Sequence, residues 1–76
     1  MTERIEVGRQ WKNISDGTAD VVIQFSDALE ICRSADVPAE NAAAMRFHNT
    51  TLTVTAPDVA WVRSSGIYKT IQAVIW

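Results

Sequence analysis

Polar and apolar residues alternate along most of this chain, which is the period of a strand with one buried face. In the clearest run, residues 21–25, Ile23 and Phe25 fall on one face and Gln24 falls on the other. Comparable runs predict further strands at residues 4–7, 10–14, 29–33, 45–48, 50–55, 59–63 and 67–76. About seven or eight short strands separated by turns predict a single all-β domain over residues 1–76, built as a small antiparallel β-sandwich or barrel.

The inward face of each run gives a predicted core, because alternate side chains of a strand share a face. This core consists of Ile23, Phe25, Leu29, Ile31, Phe47, Leu52, Val54 and Trp61. The runs at residues 21–25 and 29–33 are separated by a short turn, so we expect them to pair as a hairpin. Asp16 and Gly17 predict another turn, since this dipeptide adopts a positive φ at little cost.

Residues 34–44 interrupt the alternation. Pro38 and the alanines at 42–44 are not typical of strands. One interpretation is a helical turn that Asp36 caps, with Pro38 in its first turn. The other interpretation is a loop, which is favoured because a short β-rich chain has few places to bury a helix face.

The last run, residues 67–76, is apolar on both faces, which predicts that both faces are covered. One face carries Ile67, Ile71, Ala73 and Ile75, and the other carries Tyr68, Val74 and Trp76.

A domain of 76 residues commonly needs a disulfide, a metal or a partner subunit for stability. Cys32 and His48 are the only cysteine and histidine, which excludes an intrachain disulfide and a zinc site with four nitrogen or sulfur ligands.

Oligomerisation is the stabilisation that remains, so we predict an obligate homo-oligomer joined through the last run. The expected interface residues are Tyr68, Val74, Ile75 and Trp76. An uncovered apolar edge at this strand would invite uncontrolled pairing, which is a further reason to expect a neighbouring chain. The alternative is that the run forms a central strand of a monomeric sandwich.

The sequence shows no catalytic signature. His48 is the only imidazole, and neither a serine nor Cys32 lies in a nucleophile motif. The three glycines are too far apart to form a phosphate-binding loop, and most aspartates lie in turns, where backbone geometry favours them. We therefore expect a protein that is not an enzyme and that uses no cofactor and no metal.

Charge and hydropathy exclude two further classes of partner. Seven basic and nine acidic residues give a formal net charge of -2, which disfavours nucleic acid, because phosphate contacts need a basic surface. No apolar run approaches the ~20 residues that cross a bilayer, so no membrane association is expected. The first residues form no secretory signal, which predicts synthesis in a cytoplasm with a reduced Cys32 thiol.

The tryptophans allow an alternative function. Trp11 and Trp76 are candidates for stacking on sugar rings, since an indole offers a flat amphipathic face. This pattern is compatible with a module that binds a glycan or a host surface. Both residues are equally compatible with a core or a subunit contact, and for Trp61 we favour the core.

Several motifs together resemble a known class of proteins. Residues 11–17 read W-x-x-I-S-D-G, the two central runs suggest a hairpin, residues 34–39 form a loop with a proline, and residues 61–64 read W-V-R-S. In this order they resemble small structural proteins encoded in tailed-phage virion modules. The resemblance implies a non-enzymatic capsid decoration or tail protein. Such a protein is made in the bacterial host cytoplasm, resides in the virion, contacts other virion proteins and forms a homotrimer.

Overall fold

The structure, a computed structural model, describes residues 2–66 and 70–76. These residues form eight strands in two four-stranded antiparallel sheets. The strands are β1 (Glu3–Val7), β2 (Lys12–Asp16), β3 (Val21–Phe25), β4 (Leu29–Arg33), β5 (Met45–Phe47), β6 (Thr50–Val54), β7 (Val59–Ser64) and β8 (Ile71–Ile75). The predicted all-β fold is confirmed, and its form is a small sandwich.

The chain runs as one long antiparallel ribbon that is rolled into two layers. β1 pairs with β8, β2 with β7, β3 with β6, and β4 with β5. Pairing of β3 with β8 and of β4 with β7 then joins these ribbons into sheet A, ordered β1-β8-β3-β6, and sheet B, ordered β2-β7-β4-β5. This strand order is that of an eight-stranded jelly roll.

The hydrophobic core lies between the sheets. It contains Val7, Ile14, Ile23, Phe25, Leu29, Ala60, Val62, Ile71 and Ala73. Ile5, Ile31, Phe47, Leu52, Val54 and Ile75 are partly buried against it. The core positions predicted on β3 and at the start of β4 are therefore confirmed as buried, and four others lie at the margin of the core.

The prediction that Trp61 lies in the core is wrong. On β7 the buried neighbours Ala60 and Val62 face the space between the sheets, and Trp61 faces the outer side of sheet B. Both faces of this strand are apolar enough to be buried, so alternation alone cannot choose between them. The small side chains fit the closely packed interior, and the large indole lies outside it beneath residues 34–44.

The predicted hairpin between residues 21–25 and 29–33 is also wrong. β3 lies in sheet A and β4 lies in sheet B, so the turn between them crosses from one layer to the other. This crossing lets Phe25 and Leu29, both nearly fully buried, face the same core. A hairpin would instead place both strands in the same sheet, where neither strand could cover the apolar face of the other.

The C-terminal strand is central in sheet A, which is the position that the alternative interpretation gave it. β8 lies between β1 and β3 and forms hydrogen-bonded ladders with both. Ile71 and Ala73, which were predicted to share one face, are both buried in the core. The first part of the predicted run, residues 67–69, lies outside the described residues.

Residues 34–44 form a loop, so the helical turn capped by Asp36 is wrong. A single turn closes at Ala39–Ala42, where the Ala42 N–H donates to the Ala39 carbonyl over 3.0 Å. Pro38 is buried although its neighbours are exposed. We call residues 34–44 the strap, because they cross the outer face of sheet B and are fastened to it.

The Asp16-Gly17 turn is confirmed, with a φ of 88° at Gly17. The Asp16 carboxylate accepts hydrogen bonds from the Thr18 hydroxyl and from the Thr18 N–H, over 2.6 and 3.0 Å. These bonds, the hydroxyl first, lower the pKa of Asp16 below its ordinary value. The stabilisation they give is therefore present above the ordinary pKa of an aspartate and is lost as the pH falls through the lowered value.

Gly17→Ala is expected to lower the free energy of unfolding by about 2 kcal/mol, because a residue with a side chain is strained at positive φ. A Cβ at this position would also lie 2.7 Å from the Pro57 carbonyl oxygen. Urea unfolding measures the loss. Gly8→Ala is the matched control, since the nearest atom that a Cβ there would meet among the described residues is the Thr70 hydroxyl oxygen at 4.0 Å. Equal losses in the two variants would contradict this account of the turn.

Candidate functional site

Two tryptophans fasten the strap to the outer face of sheet B. The Trp61 Nε1–H donates to the Ser34 carbonyl over 2.9 Å. The Trp11 Nε1–H donates to the Ala39 carbonyl over 3.1 Å. Both indoles are half-buried. An indole has one polar group that requires a partner, and here the irregular backbone of the strap supplies both partners.

A buried ion pair lies beside these indoles. The Arg63 side chain is 7% exposed, and its Nε donates to the Glu30 carboxylate over 2.7 Å. Its guanidinium carbon lies 4.2 Å from the centre of the Trp11 ring, which is a favourable cation–π distance. Arg63 Nη1 also donates to the Glu40 carbonyl of the strap over 2.7 Å. The guanidinium is thus bonded on several sides, which indicates a structural role.

Two further arginines approach the same carboxylate. Arg9 and Arg46 lie 3.6 and 4.0 Å from Glu30, and both are far more exposed than Arg63. Arg9 also donates to the Ser64 carbonyl over 2.6 Å. The sequence interpretation missed this cluster. Its only signal was one arginine in the otherwise uncharged run 59–64.

The outer face of sheet A differs from that of sheet B. Val22, Gln24, Thr51, Val74 and Trp76 line a shallow depression of about 160 Å³ on this face; we call these five residues the sheet A patch. Trp76 remains 79% exposed, although its backbone N–H donates to the Val22 carbonyl over 2.9 Å. The patch therefore presents an indole and two valines, with one amide and one hydroxyl beside them.

Charged and polar side chains surround the sheet A patch. On β1, Arg4 lies opposite Val74 and Glu6 lies opposite Gln72. Both charged residues are exposed. On the other side, Thr53 of β6 is exposed next to Val22. An apolar centre with a polar margin is the usual anatomy of a protein interface.

A groove opens between the two sheets on the side of β5 and β6. Its volume is about 690 Å³, and its walls include the half-buried Ile31, Phe47, Leu52 and Val54. Met45 also lines it and is 66% exposed. We call it the interlayer groove. The core is therefore accessible from the side of β5 and β6.

The structure separates the residues predicted for the oligomer interface. Val74 and Trp76 lie together in the sheet A patch. Ile75 packs against the core between the sheets, so it does not share their surface. Tyr68 lies outside the described residues. Whether these residues join subunits stays a prediction.

The two predicted stacking residues lie on opposite faces of the sandwich. Trp76 is exposed on sheet A, and one face of Trp11 is occupied by the Arg63 guanidinium on sheet B. The described structure thus leaves Trp76 as the more accessible indole. Ligand stacking by either residue stays a prediction.

The histidine and the cysteine of the chain lie in different parts of the fold. His48 is exposed in the turn between β5 and β6, and Cys32 is half-buried opposite Trp61. Among residues 2–66 and 70–76, no three histidine, cysteine or acidic side chains are arranged to hold a metal ion. Over the same residues there is no helix long and apolar enough to cross a bilayer.

No protein-family model matches this chain, and neither a curated protein nor a solved structure matches it. The functional argument therefore depends on the surfaces of the molecule itself. The sheet A patch is the strongest candidate, because it combines the most exposed tryptophan side chain with a defined depression.

Proposed function

We propose that this protein is a non-enzymatic structural protein that assembles into a homo-oligomer, in the manner of a phage capsid decoration or tail protein. The observation that supports it best is the difference between the two outer faces. The strap covers the outer face of sheet B, and its carbonyl groups accept hydrogen bonds from two indole N–H groups and from the Arg63 guanidinium. Sheet A keeps Trp76 exposed beside Val22 and Val74.

The sheet A patch has the composition of a contact surface. Tryptophan is enriched among the residues that dominate binding energy at interfaces. Burial of its ring and of the two valines would remove apolar surface from water, which is the main driving force of association. Arg4 and Glu6 at the margin carry opposite charges, so a second copy or another virion protein can pair with each of them.

The assignment to a virion draws on the resemblance in residues 11–17 and 61–64. The jelly-roll strand order is found in viral capsid domains, and also in lectins and cupins, so the fold by itself is only an analogy. The resemblance favours a trimer and contacts to other virion proteins.

Trp76→Ala is expected to lower the molar mass of the protein in solution, because it removes the largest side chain of the sheet A patch. Light scattering after size exclusion, at micromolar protein concentration, measures this mass. Val37→Ala is the matched control, since Val37 is 65% exposed on the opposite face, in the strap. A wild-type protein of 8.4 kDa, the mass of one chain, would contradict the proposed assembly. A Trp76→Ala variant with wild-type mass would exclude the patch as the contact.

A glycan-binding function is the second candidate, and the same patch favours it. An exposed indole with an amide and a hydroxyl beside it can stack on a sugar ring and bond its hydroxyl groups. Gln24 and Thr51 supply these polar groups. Titration with hexose and N-acetylhexosamine oligosaccharides, followed by tryptophan fluorescence, tests it. A saturable change that Trp76→Ala and Gln24→Ala both abolish, in a protein whose mass neither variant alters, would favour glycan binding over assembly.

A further inference from the structure

The four edge strands of the sandwich differ in how they are protected from pairing. Natural proteins protect sheet edges with charges, bulges, prolines or very short strands. β1 carries the exposed charges Glu3, Arg4 and Glu6. β2 has charged residues at both ends and a bulge between Asn13 and Ser15. β5 has only three residues and includes an exposed arginine.

β6 has none of these protections. It is five residues long, Thr50–Val54, and reads T-T-L-T-V without charge or proline. Its pairing with β3 is regular over all five residues. In the described part of the chain, its backbone hydrogen bonds go to β3 alone. β-Branched residues also favour the extended backbone that a further strand would need.

We propose that β6 pairs with β6 of a second copy of this chain. The two strands run antiparallel about a twofold axis at Leu52, and the two sheets A become one continuous eight-stranded sheet. This inference rests on the proposed self-assembly, but it uses a strand edge, and of the sheet A patch it engages Thr51 alone. With two separate contacts, each copy can join more than one neighbour, as a structural protein on a particle surface requires.

The strand itself specifies the register. In an antiparallel pair, opposed residues share a face, so a slip by one residue would place outer side chains against inner ones. The register centred on Leu52 keeps the faces aligned and pairs all five residues. It places Thr51 opposite Thr53 of the partner copy, a favourable cross-strand pair, and Leu52 opposite its own symmetry mate.

The interlayer groove gives an independent reason for this choice of edge. Leu52 and Val54 of β6 lie in its wall, next to the exposed Met45. In the proposed pair both grooves lie on the same side of the shared sheet and adjoin each other. Apolar side chains that are half-buried in one copy thus gain neighbours, which a pairing through β1 would not provide.

The test introduces charges at Thr51 and Thr53 in the Trp76→Ala background, where the sheet A patch contact is weakened. Both threonines are exposed on the outer face, so the core is left unchanged. The variants are T51K/T53K, T51E/T53E and T51K/T53E. In the proposed register the first two oppose like charges and the third opposes unlike charges. Sedimentation or light scattering gives the mass, and circular dichroism verifies that each variant keeps its β structure.

Trp76→Ala alone is expected to be a dimer. T51K/T53K and T51E/T53E are each expected to raise the dimer dissociation constant about tenfold or more, because like charges opposite each other destabilise a strand pair. T51K/T53E is expected to remain a dimer, and a mixture of the first two variants is expected to form a mixed dimer. Like-charged variants that stay dimeric, or a T51K/T53E variant that dissociates as readily as they do, would overturn the proposal.

The same series separates this inference from the proposed function. If the wild type is oligomeric and the Trp76→Ala variant is monomeric, the proposed assembly is supported and β6 pairing is excluded. Thr51 also lies in the sheet A patch, so the unlike-charged variant decides between the two surfaces. A wild type and a Trp76→Ala variant that are both dimers, and that T51K/T53K dissociates while T51K/T53E does not, would support β6 pairing and exclude Trp76 as a contact.

Discussion

Phe25→Ala is expected to lower the free energy of unfolding by about 3–5 kcal/mol, the usual cost of removing a buried aromatic ring. Phe25 is 2% exposed and lies on β3, which is hydrogen-bonded on both sides, to β6 and β8. A cavity there cannot be filled by movement of a free edge. Domains of this size have a total stability of about 5–10 kcal/mol, so the variant should be close to unfolding.

Urea unfolding at fixed protein concentration measures this loss, since association also contributes to apparent stability. Gln72→Ala is the control, because Gln72 is exposed on the outer face of the neighbouring strand β8. A loss below about 1 kcal/mol for Phe25→Ala, well under the range for core residues, would mean that the inward face of β3 is assigned wrongly.

Glu30→Gln is expected to lower the free energy of unfolding by about 3 kcal/mol, because it leaves the buried Arg63 guanidinium without its counter-ion. The Arg63 side chain is 7% exposed, and a glutamine at position 30 would offer its Nε an uncharged amide oxygen in place of the carboxylate. The converse change, Arg63→Met, should cost less. Glu30 would still have Arg9 and Arg46 within 4.0 Å, and a methionine can fill part of the space.

The double variant E30Q/R63M tests whether the two side chains act as a pair. A strong coupling makes its loss smaller than the sum of the single losses. Arg33→Gln is the control, since Arg33 is 3.5 Å from Asp58 in an exposed pair, whose loss costs at most about 1 kcal/mol. Additive losses, or an E30Q loss no larger than that of R33Q, would show that the Arg63–Glu30 pair does not stabilise the fold.

Alternation along the chain predicted the strands well, because a half-buried strand has a period of two whichever strand lies beside it. The runs at residues 21–25 and 29–33 match β3 and β4 in both bounds. The pairing of strands could not be predicted in this way. Each ribbon apart from β4–β5 joins strands that are distant in sequence, and the short turn after β3 is compatible with a hairpin and with a crossing between layers.

Alternation also fails where both faces of a strand are covered. β7 packs against the core on one side and the strap on the other, so the pattern left two equivalent choices for Trp61. The sequence suggested a loop at residues 34–44 but did not show that the loop forms a third layer. That depends on distant groups, namely the indole N–H donors of Trp11 and Trp61 and the Arg63 guanidinium.

The candidate site was predicted in part. Val74 and Trp76 were placed on one face from their spacing, and the structure adds Val22, Gln24 and Thr51 from neighbouring strands. Those three could not be found from the sequence, because the register between β3, β6 and β8 brings them together. For the same reason the unprotected edge of β6 became visible only when the strand order was known.

The molar mass of the wild-type chain at micromolar concentration tests the central claim most directly, because assembly is the property on which both proposals depend. Light scattering after size exclusion should give a mass of at least two chains of 8.4 kDa each, and the mass should rise with concentration if the patch and the β6 edge both join copies. A mass of 8.4 kDa at every micromolar concentration would contradict the account.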